Sequence, residues 1–252
     1  MFPIRDNIPS RRVPYVNYAI VAANVLVWLY QITLPASQLE ALFYQWGLVP
    51  AHYSHPTLSA HLSWQELAGP FVTSMFTHGG WMHVIGNLWM LWIFGDNVED
   101  FLGHGRYALF YLVAGVGAAL VHLFTNWDST VPTVGASGAI SGVMGAYLIL
   151  YPTARVLTVV PVFIVLVPLR VPALLFIGLW FVMQFLSGTF SLLGAPDGGV
   201  AWWAHIGGFV FGVFLLWLLG TGREKVLERT DLRRSRQFRS IDPTRRRENP
   251  WD

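Results

Sequence analysis

The chain contains no cysteine among its 252 residues. This absence excludes disulfides, thiolate metal sites and a cysteine nucleophile. Charged residues are scarce too: they make up 12% of the chain, whereas a soluble globular domain carries about 25%. With 54% hydrophobic residues and a mean hydropathy of +0.48, the composition is typical of a membrane protein.

Lysine and arginine are missing from three stretches of the chain, 13–105, 126–133 and 189–200. Most of the basic residues lie in the tail 221–252. Because cytoplasmic loops of membrane proteins carry an excess of Lys and Arg, the basic side is predicted to face the cytoplasm. Both termini fall on that side if the chain crosses the membrane six times.

Six apolar runs approach the roughly 20 residues that a membrane span needs. They are 15–34, 82–101, 106–125, 134–151, 171–188 and 201–220. A seventh run, 156–169, is short, rich in valine and interrupted by two prolines, so we expect a hairpin or an interfacial loop. The predicted fold is an all-α polytopic membrane protein with a bundle of six transmembrane helices.

The same pattern predicts three segments along the chain. Residues 1–14 form a cytoplasmic N-terminal segment, 15–220 the membrane domain and 221–252 a basic cytoplasmic tail. A long outer loop at 35–81 carries few charges and is expected to pack partly on the bundle. No cleavable signal peptide is predicted, so the first span is expected to act as the insertion signal.

Ser137 lies in the motif GASG, at the start of the fourth apolar run. Serine is common at helix contacts, and Gly138 with Gly142 forms a small-xxx-small pair that favours such a structural role. At the start of a helix, however, free N–H groups point toward any developing anion, which suits acyl transfer. We therefore predict that Ser137 is a nucleophile within the membrane.

His205 lies near the start of the sixth apolar run. It could simply be a polar group satisfied inside the bundle, but ionisable residues within a membrane are costly and are mostly functional. His205, Gly208 and Gly212 fall at i, i+3 and i+7 on one helical face. If this face meets the face of Gly138 and Gly142, the imidazole reaches the serine hydroxyl and can act as its base.

His83 and Asn87 are spaced i, i+4 in the second apolar run, so they share a helical face. A mutual hydrogen bond is their structural interpretation, and an oxyanion hole is the functional one. His78 precedes this run and is expected to support His83. In the six-span topology, Ser137 and His205 lie at a similar depth near the outer face.

A metal site is not expected. The chain has no H-E-x-x-H spacing, and no acidic residue lies beside the histidines in sequence. A third, acidic member of a catalytic triad is also unclear. Asp128 and Asp197 lie in outer loops and are predicted to be solvated rather than bound to His205.

Three motifs together resemble the rhomboid family of intramembrane serine proteases. They are HVIGN at 83–87, GASG at 135–138 and AHIGGFVFG at 204–212. The motifs occur in the same order and in the same spans as in that family, and the resemblance covers residues 15–220. The chain resembles the bacterial type of this family, which has six helices.

The resemblance implies a catalytic dyad of Ser137 and His205 without an acid, and no cofactor or metal. It implies an oxyanion hole made by His83, Asn87 and the backbone N–H of Ser137, with Gly135 among the supporting residues. Substrates would be single-span membrane proteins cut near the outer face, so the expected partners are these proteins and membrane lipids, not nucleic acid.

One position departs from the family. Some bacterial members have a tyrosine one turn after the serine that stacks on the histidine, and here that residue is Ser141. A hydroxyl contact from Ser141, or packing from Trp202 or Trp203, is expected to replace it.

Two other functions are compatible with a polytopic membrane protein. One is an inactive rhomboid-like protein that binds or escorts membrane proteins, which the presence of both Ser137 and His205 disfavours. The other is a transporter, whose site would lie near the midplane on broken helices, often within repeats. The short N-terminal segment also suggests a prokaryotic plasma membrane. The sequence predicts no oligomeric state.

Overall fold

The computed structural model describes residues 2–162, 165–192 and 201–219, and helices dominate it. The basic tail and Asp197 lie outside the described residues. In chain order the elements are β1 (Phe2–Arg5), α1 (Tyr15–Gln31), α2 (Ala36–Trp46), α3 (Ala51–Ser54), α4 (Pro56–Ser59), α5 (Trp64–Ala68), α6 (Pro70–Thr73), a 3-10 turn (Ser74–Phe76), α7 (Trp81–Leu102), α8 (His104–Thr125), α9 (Ser137–Leu150), β2 (Arg155–Val162), β3 (Val165–Pro172), α10 (Ala173–Leu192) and α11 (Trp202–Leu219).

A long helix occupies most of each of the six predicted apolar runs. By length and composition, three helices in the described part of the chain can cross a membrane: His104–Thr125, Ala173–Phe190 and Trp202–Leu219. Helix α9 is equally apolar in character but shorter, at 14 residues. The protein is therefore a mostly helical membrane protein, and six crossings with cytoplasmic termini remain a prediction.

A three-stranded antiparallel sheet is the exception to the all-α prediction. The run 156–169 does form a hairpin, β2 and β3, and the N-terminal strand β1 adds to it in the order β1-β2-β3. The Trp89 indole N–H of α7 donates to the Pro3 carbonyl oxygen at 2.6 Å. Since Trp89 lies in the N-terminal half of α7, strand β1 lies alongside this helix and not beyond its end.

The outer connection 35–81 is built from short helices rather than from a structureless loop. Leu48 pairs with Thr133 through two backbone hydrogen bonds of 2.9 and 2.8 Å. The Thr73 hydroxyl donates to the Trp46 carbonyl oxygen at 2.8 Å, which ties two of the short helices together. These contacts hold the connection against the segment that leads into α9.

A buried carboxylate joins α7 to the start of α1. Glu99 is 1% exposed and accepts hydrogen bonds from the backbone N–H groups of Val16 (3.0 Å) and Asn17 (2.7 Å). Pro14 gives α1 no side-chain cap, so Glu99 satisfies donors that the first turn leaves free. The ring nitrogen Nδ1 of His104 lies 2.5 Å from the same carboxylate.

Helices α9 and α11 approach so closely that their contact surface has no room for side chains. A Cβ atom at Gly208 would overlap the carbonyl oxygen of Gly138, and one at Gly212 would overlap Gly142. A Cβ at Gly138 would lie 2.6 Å from the Cβ of Ala118 in α8. The two glycine faces that the sequence suggested are therefore in contact, with α8 packed against both helices.

Gly208→Ala is expected to lower the stability of the protein. The added methyl group meets backbone, which cannot rotate away, and overpacking typically costs about 1–3 kcal/mol. Gly178→Ala in α10 is the matched control, because a Cβ there has open space within 4 Å. Thermal unfolding of both variants in one detergent gives the comparison. Equal melting temperatures would contradict the close contact of α9 with α11.

Candidate active site

Gly135 sets the position at which α9 begins. Its φ of 127° lies in a region that residues with a side chain rarely adopt, and a Cβ there would lie 2.5 Å from His83 Nε2. Its N–H donates to the Ser74 carbonyl oxygen at 2.8 Å. The chain turns at this glycine, and Ser137 becomes the first residue of the helix. Its backbone N–H is therefore one of those without an intrahelical partner.

Ser137 and His205 are in direct contact. The Ser137 Oγ atom lies 2.8 Å from Nε2 of His205, although the two residues are 68 positions apart in sequence. The contact exists because His205 begins the glycine face of α11 that packs on α9. A hydroxyl at this distance from a ring nitrogen can transfer its proton as it attacks.

His83 and Asn87 lie next to the same turn. The Asn87 side chain is 8% exposed, and its Nδ2 donor has no hydrogen-bond partner within the described residues. The Gly79 N–H lies 3.5 Å from Nδ1 of His83, a long contact that favours the ring proton on Nε2. His83 Nε2 and Asn87 Nδ2 lie 2.5 and 3.6 Å from the Cβ position that Gly135 leaves empty. Both donors therefore face the turn before Ser137.

His78 packs edge-on against His83, with ring centroids 5.2 Å apart. Its backbone N–H and carbonyl oxygen both bond the side-chain amide of Gln31, at 3.0 and 2.9 Å. Burial, and secondarily the neighbouring His83, lower the pKa of His78 to about 4. The His78 ring is thus neutral near pH 7 and fills space behind His83 without adding charge. The role of Gln31 was not predicted from the sequence, because a single amide at a helix end does not indicate its hydrogen-bond partner.

The sequence predicts a hydroxyl contact from Ser141 to His205, but the Ser141 hydroxyl bonds within its own helix instead. It donates to the Ser137 carbonyl oxygen one turn earlier, at 2.6 Å. Trp203 was another residue expected beside His205, and its indole N–H donates to the Gly188 carbonyl oxygen of α10 at 3.1 Å. Serine in a helix commonly bonds its own preceding turn, which explains why Ser141 does not reach across to α11.

Two residues of α10 contact the imidazole instead. The Gln184 Oε1 atom lies 2.7 Å from His205 Nδ1, and the Trp180 ring lies 6.0 Å from the His205 ring between centroids, tilted by 37°. Sequence reasoning missed both. A signal existed for Gln184, because an amide within an apolar span needs a partner inside the protein.

A cavity of about 810 Å³ opens onto Ser137 and His205 from the side of the connection 35–81. Its walls also include His83 and Asn87 of α7. The residues that line it include Gly80, Trp81, His83, Asn87, His122, Asn126, Thr133, Ser137, Trp202 and His205. The cavity gives water and an extended peptide room beside Ser137.

The other candidates from the sequence lie elsewhere. Asp128 is on the surface, 3.7 Å from His55, and not beside His205. Asp197 falls outside the described residues. In the ranges 2–162, 165–192 and 201–219, no cluster of three or more His, Asp or Glu side chains could hold a metal ion.

Comparison with known proteins places this sequence in a family. The family model described as "Rhomboid domain" matches residues 64–222. Rhomboid-like protein 11, chloroplastic, of Arabidopsis thaliana is 30% identical over 208 residues, 78% of this chain and 66% of that protein. Presenilin-associated rhomboid-like protein A, mitochondrial, of Danio rerio is 29% identical over 70% of this chain and 44% of its own length. Rhomboid protease GluP of Bacillus subtilis is 29% identical over 82% of this chain and 35% of its length.

The names of these relatives do not support a prokaryotic origin, because the first two are a chloroplast and a mitochondrial protein. The aligned region spans less than two thirds of each of the three relatives. The domain match nevertheless covers more than half of this chain and includes all three motifs that carry the resemblance. The chain therefore belongs to the rhomboid family, which includes serine proteases such as GluP.

Proposed function

We propose that this protein is an intramembrane serine endopeptidase that works through a dyad of Ser137 and His205. The observation that carries the proposal is the 2.8 Å contact between Ser137 Oγ and His205 Nε2, made between two apolar helices. A hydroxyl and an imidazole in contact are the minimum that nucleophilic acyl transfer requires.

The reaction follows from the positions of these atoms. As Ser137 Oγ attacks the carbonyl carbon of a peptide bond, its proton moves to His205 Nε2. The imidazolium then gives this proton to the leaving amine, and the C–N bond breaks. Water from the cavity attacks the acyl-enzyme as His205 accepts its proton. The ester bond to Ser137 then breaks, His205 returns the proton to Ser137 Oγ, and a carboxylic acid is released.

Three donors are proposed to stabilise the oxyanion of the tetrahedral intermediate: His83 Nε2, Asn87 Nδ2 and the backbone N–H of Ser137. The lack of a protein partner for Asn87 Nδ2 supports this role, because a buried donor without an acceptor is costly unless it meets one during function. The start of α9 adds the partial positive charge of a helix N-terminus.

The proposed substrates are single-span membrane proteins, cut near the outer face of a six-span bundle. The distribution of Lys and Arg supports this orientation, because the connection 35–81 contains none, whereas the N-terminal segment and the tail 221–252 both contain several. Apolar side chains cover the outer surface of α10, which suits contact with lipid or with an apolar segment. An inactive binding protein has less support, because such a protein has no need for an aligned serine and histidine.

Ser137→Ala is expected to abolish cleavage, because it removes the nucleophile while leaving a smaller side chain that fits the same space. His205→Ala should abolish it as well. The measurement is incubation of purified protein with a model single-span substrate. A fluorophosphonate reagent should label the wild type at Ser137 and leave Ser137→Ala unlabelled. Cleavage by Ser137→Ala at the wild-type rate would exclude the dyad, and an unreactive, inactive wild type would favour the binding protein.

Asn87→Ala is expected to lower kcat without abolishing activity, since losing one oxyanion donor typically costs about 10²–10³-fold. His83→Ala should be at least as damaging, because its ring also packs against His78. Steady-state kinetics on one substrate give both values. Wild-type rates in both variants would show that His83 and Asn87 have only a structural role.

Reporter fusions test the orientation that the proposal requires. Fusions after Asp252 and within 98–105 are expected to report the cytoplasm, since the tail 221–252 is rich in Arg and Arg106 directly follows 98–105. Fusions within 40–60 should report the opposite side. A cytoplasmic signal from 40–60 would move the active site to the other face of the membrane.

A further inference from the structure

The second ring nitrogen of the catalytic histidine has its own partner. Nδ1 of His205 lies 2.7 Å from Oε1 of Gln184, on the opposite side of the ring from Ser137. Gln184 is 7% exposed, whereas Met183 and Phe185 beside it are 49% and 48% exposed. Gln184 thus faces into the bundle from a helix whose other large side chains mostly face outward, and it is the residue of α10 that carries a side-chain amide.

With the amide oxygen of Gln184 facing the ring, this contact selects which nitrogen carries the proton. An amide oxygen can only accept, so Nδ1 must donate its N–H to it. In a neutral ring that leaves Nε2 unprotonated, as the base must be to accept the Ser137 proton. The opposite tautomer would put a proton on Nε2, point a lone pair at Oε1 and prevent the transfer.

We propose that Gln184 is a positioning residue of the dyad, which holds His205 in its active tautomer and orientation through the hydrogen bond from Nδ1. This inference rests on the proposed protease function and deepens it. In triads an aspartate does this at the corresponding nitrogen, and here a neutral amide takes that place. A neutral partner avoids the cost of a carboxylate within an apolar bundle.

The other neighbours of the ring cannot perform this role. Trp180 contacts the face of the ring in a tilted arrangement and limits its rotation, but it offers no acceptor to Nδ1. The hydroxyl of Ser141 donates to the Ser137 carbonyl oxygen within its own helix, and the acceptor at hydrogen-bond distance from Nδ1 is Gln184. Gln184 therefore supplies the fixed acceptor that the ring needs.

Three variants separate hydrogen bonding from packing. Gln184→Leu has a similar size but no acceptor, and it should lower kcat roughly 10-fold with KM nearly unchanged, as expected for loss of one hydrogen bond. Gln184→Glu keeps an acceptor at the same reach and should restore most of the lost rate. Met183→Leu, one residue away and exposed, is the matched control and should match the wild type.

Nitrogen NMR of ¹⁵N-histidine protein in detergent reports the tautomer directly. The His205 signals are assigned as those lost in His205→Ala. We expect the Nδ1–H form in the wild type and in Gln184→Glu, and a mixture of tautomers in Gln184→Leu. A merely structural role for Gln184 would change stability without changing this ratio, so thermal unfolding is measured alongside. If Gln184→Leu does not fold, the wild-type tautomer still decides, since a proton on Nε2 would overturn the proposal.

The outcomes also distinguish this inference from the proposed function. A wild type that neither cleaves substrate nor reacts with the fluorophosphonate removes the protease itself. An active wild type together with a Gln184→Leu variant of equal kcat and equal tautomer ratio removes only the role of Gln184. The rate of fluorophosphonate labelling should fall in Gln184→Leu as well, since that reagent needs the base but not a bound substrate helix.

Discussion

The close packing of α9 against α11 is the constraint on which the site depends. A Cβ at Gly208 or Gly212 of α11 would overlap the backbone of α9, and one at Gly138 or Gly142 of α9 would overlap alanine side chains of α8. Without water to drive apolar helices together, such contacts rely on dense packing between small residues. The serine and the histidine lie at the same end of this contact, so their hydrogen bond follows from the helix geometry and needs no flexible loop to form it.

Two polar clusters lie toward opposite ends of α7. At one end, the side chains of α7, α9 and α11 face a cavity in which a donor, Asn87 Nδ2, is left without a protein partner. At the other end, Glu99 accepts from two backbone N–H groups and contacts His104. In an apolar environment this difference matters, because a satisfied network stabilises the fold whereas an unsatisfied donor is costly and suggests a functional use.

The sequence was sufficient for much of the fold and for the grouping of the polar residues. Hydropathy located the six long helices to within a few residues, because each is a continuous apolar run. The motifs around His83, Ser137 and His205 lie together in the structure, because each lies near the start of its own helix and glycines let α9 and α11 meet. The sequence did not predict the long-range strand pairing, because nothing in residues 2–5 indicates that they pair with 157–159. Gln184 was missed because one amide in an apolar run does not reveal its partner on another helix.

The bond between Gln184 and His205 makes the position of one helix part of the state of the dyad. Helix α10 has many apolar side chains that face away from the protein, and its amide reaches the imidazole across a single hydrogen bond. A ligand that binds better when α10 has moved away from α11 must break that bond. The free energy of breaking it lowers the apparent affinity of the ligand. Linkage is reciprocal, so a molecule that holds the imidazole in place at Ser137 raises the free energy of moving α10 by the same amount.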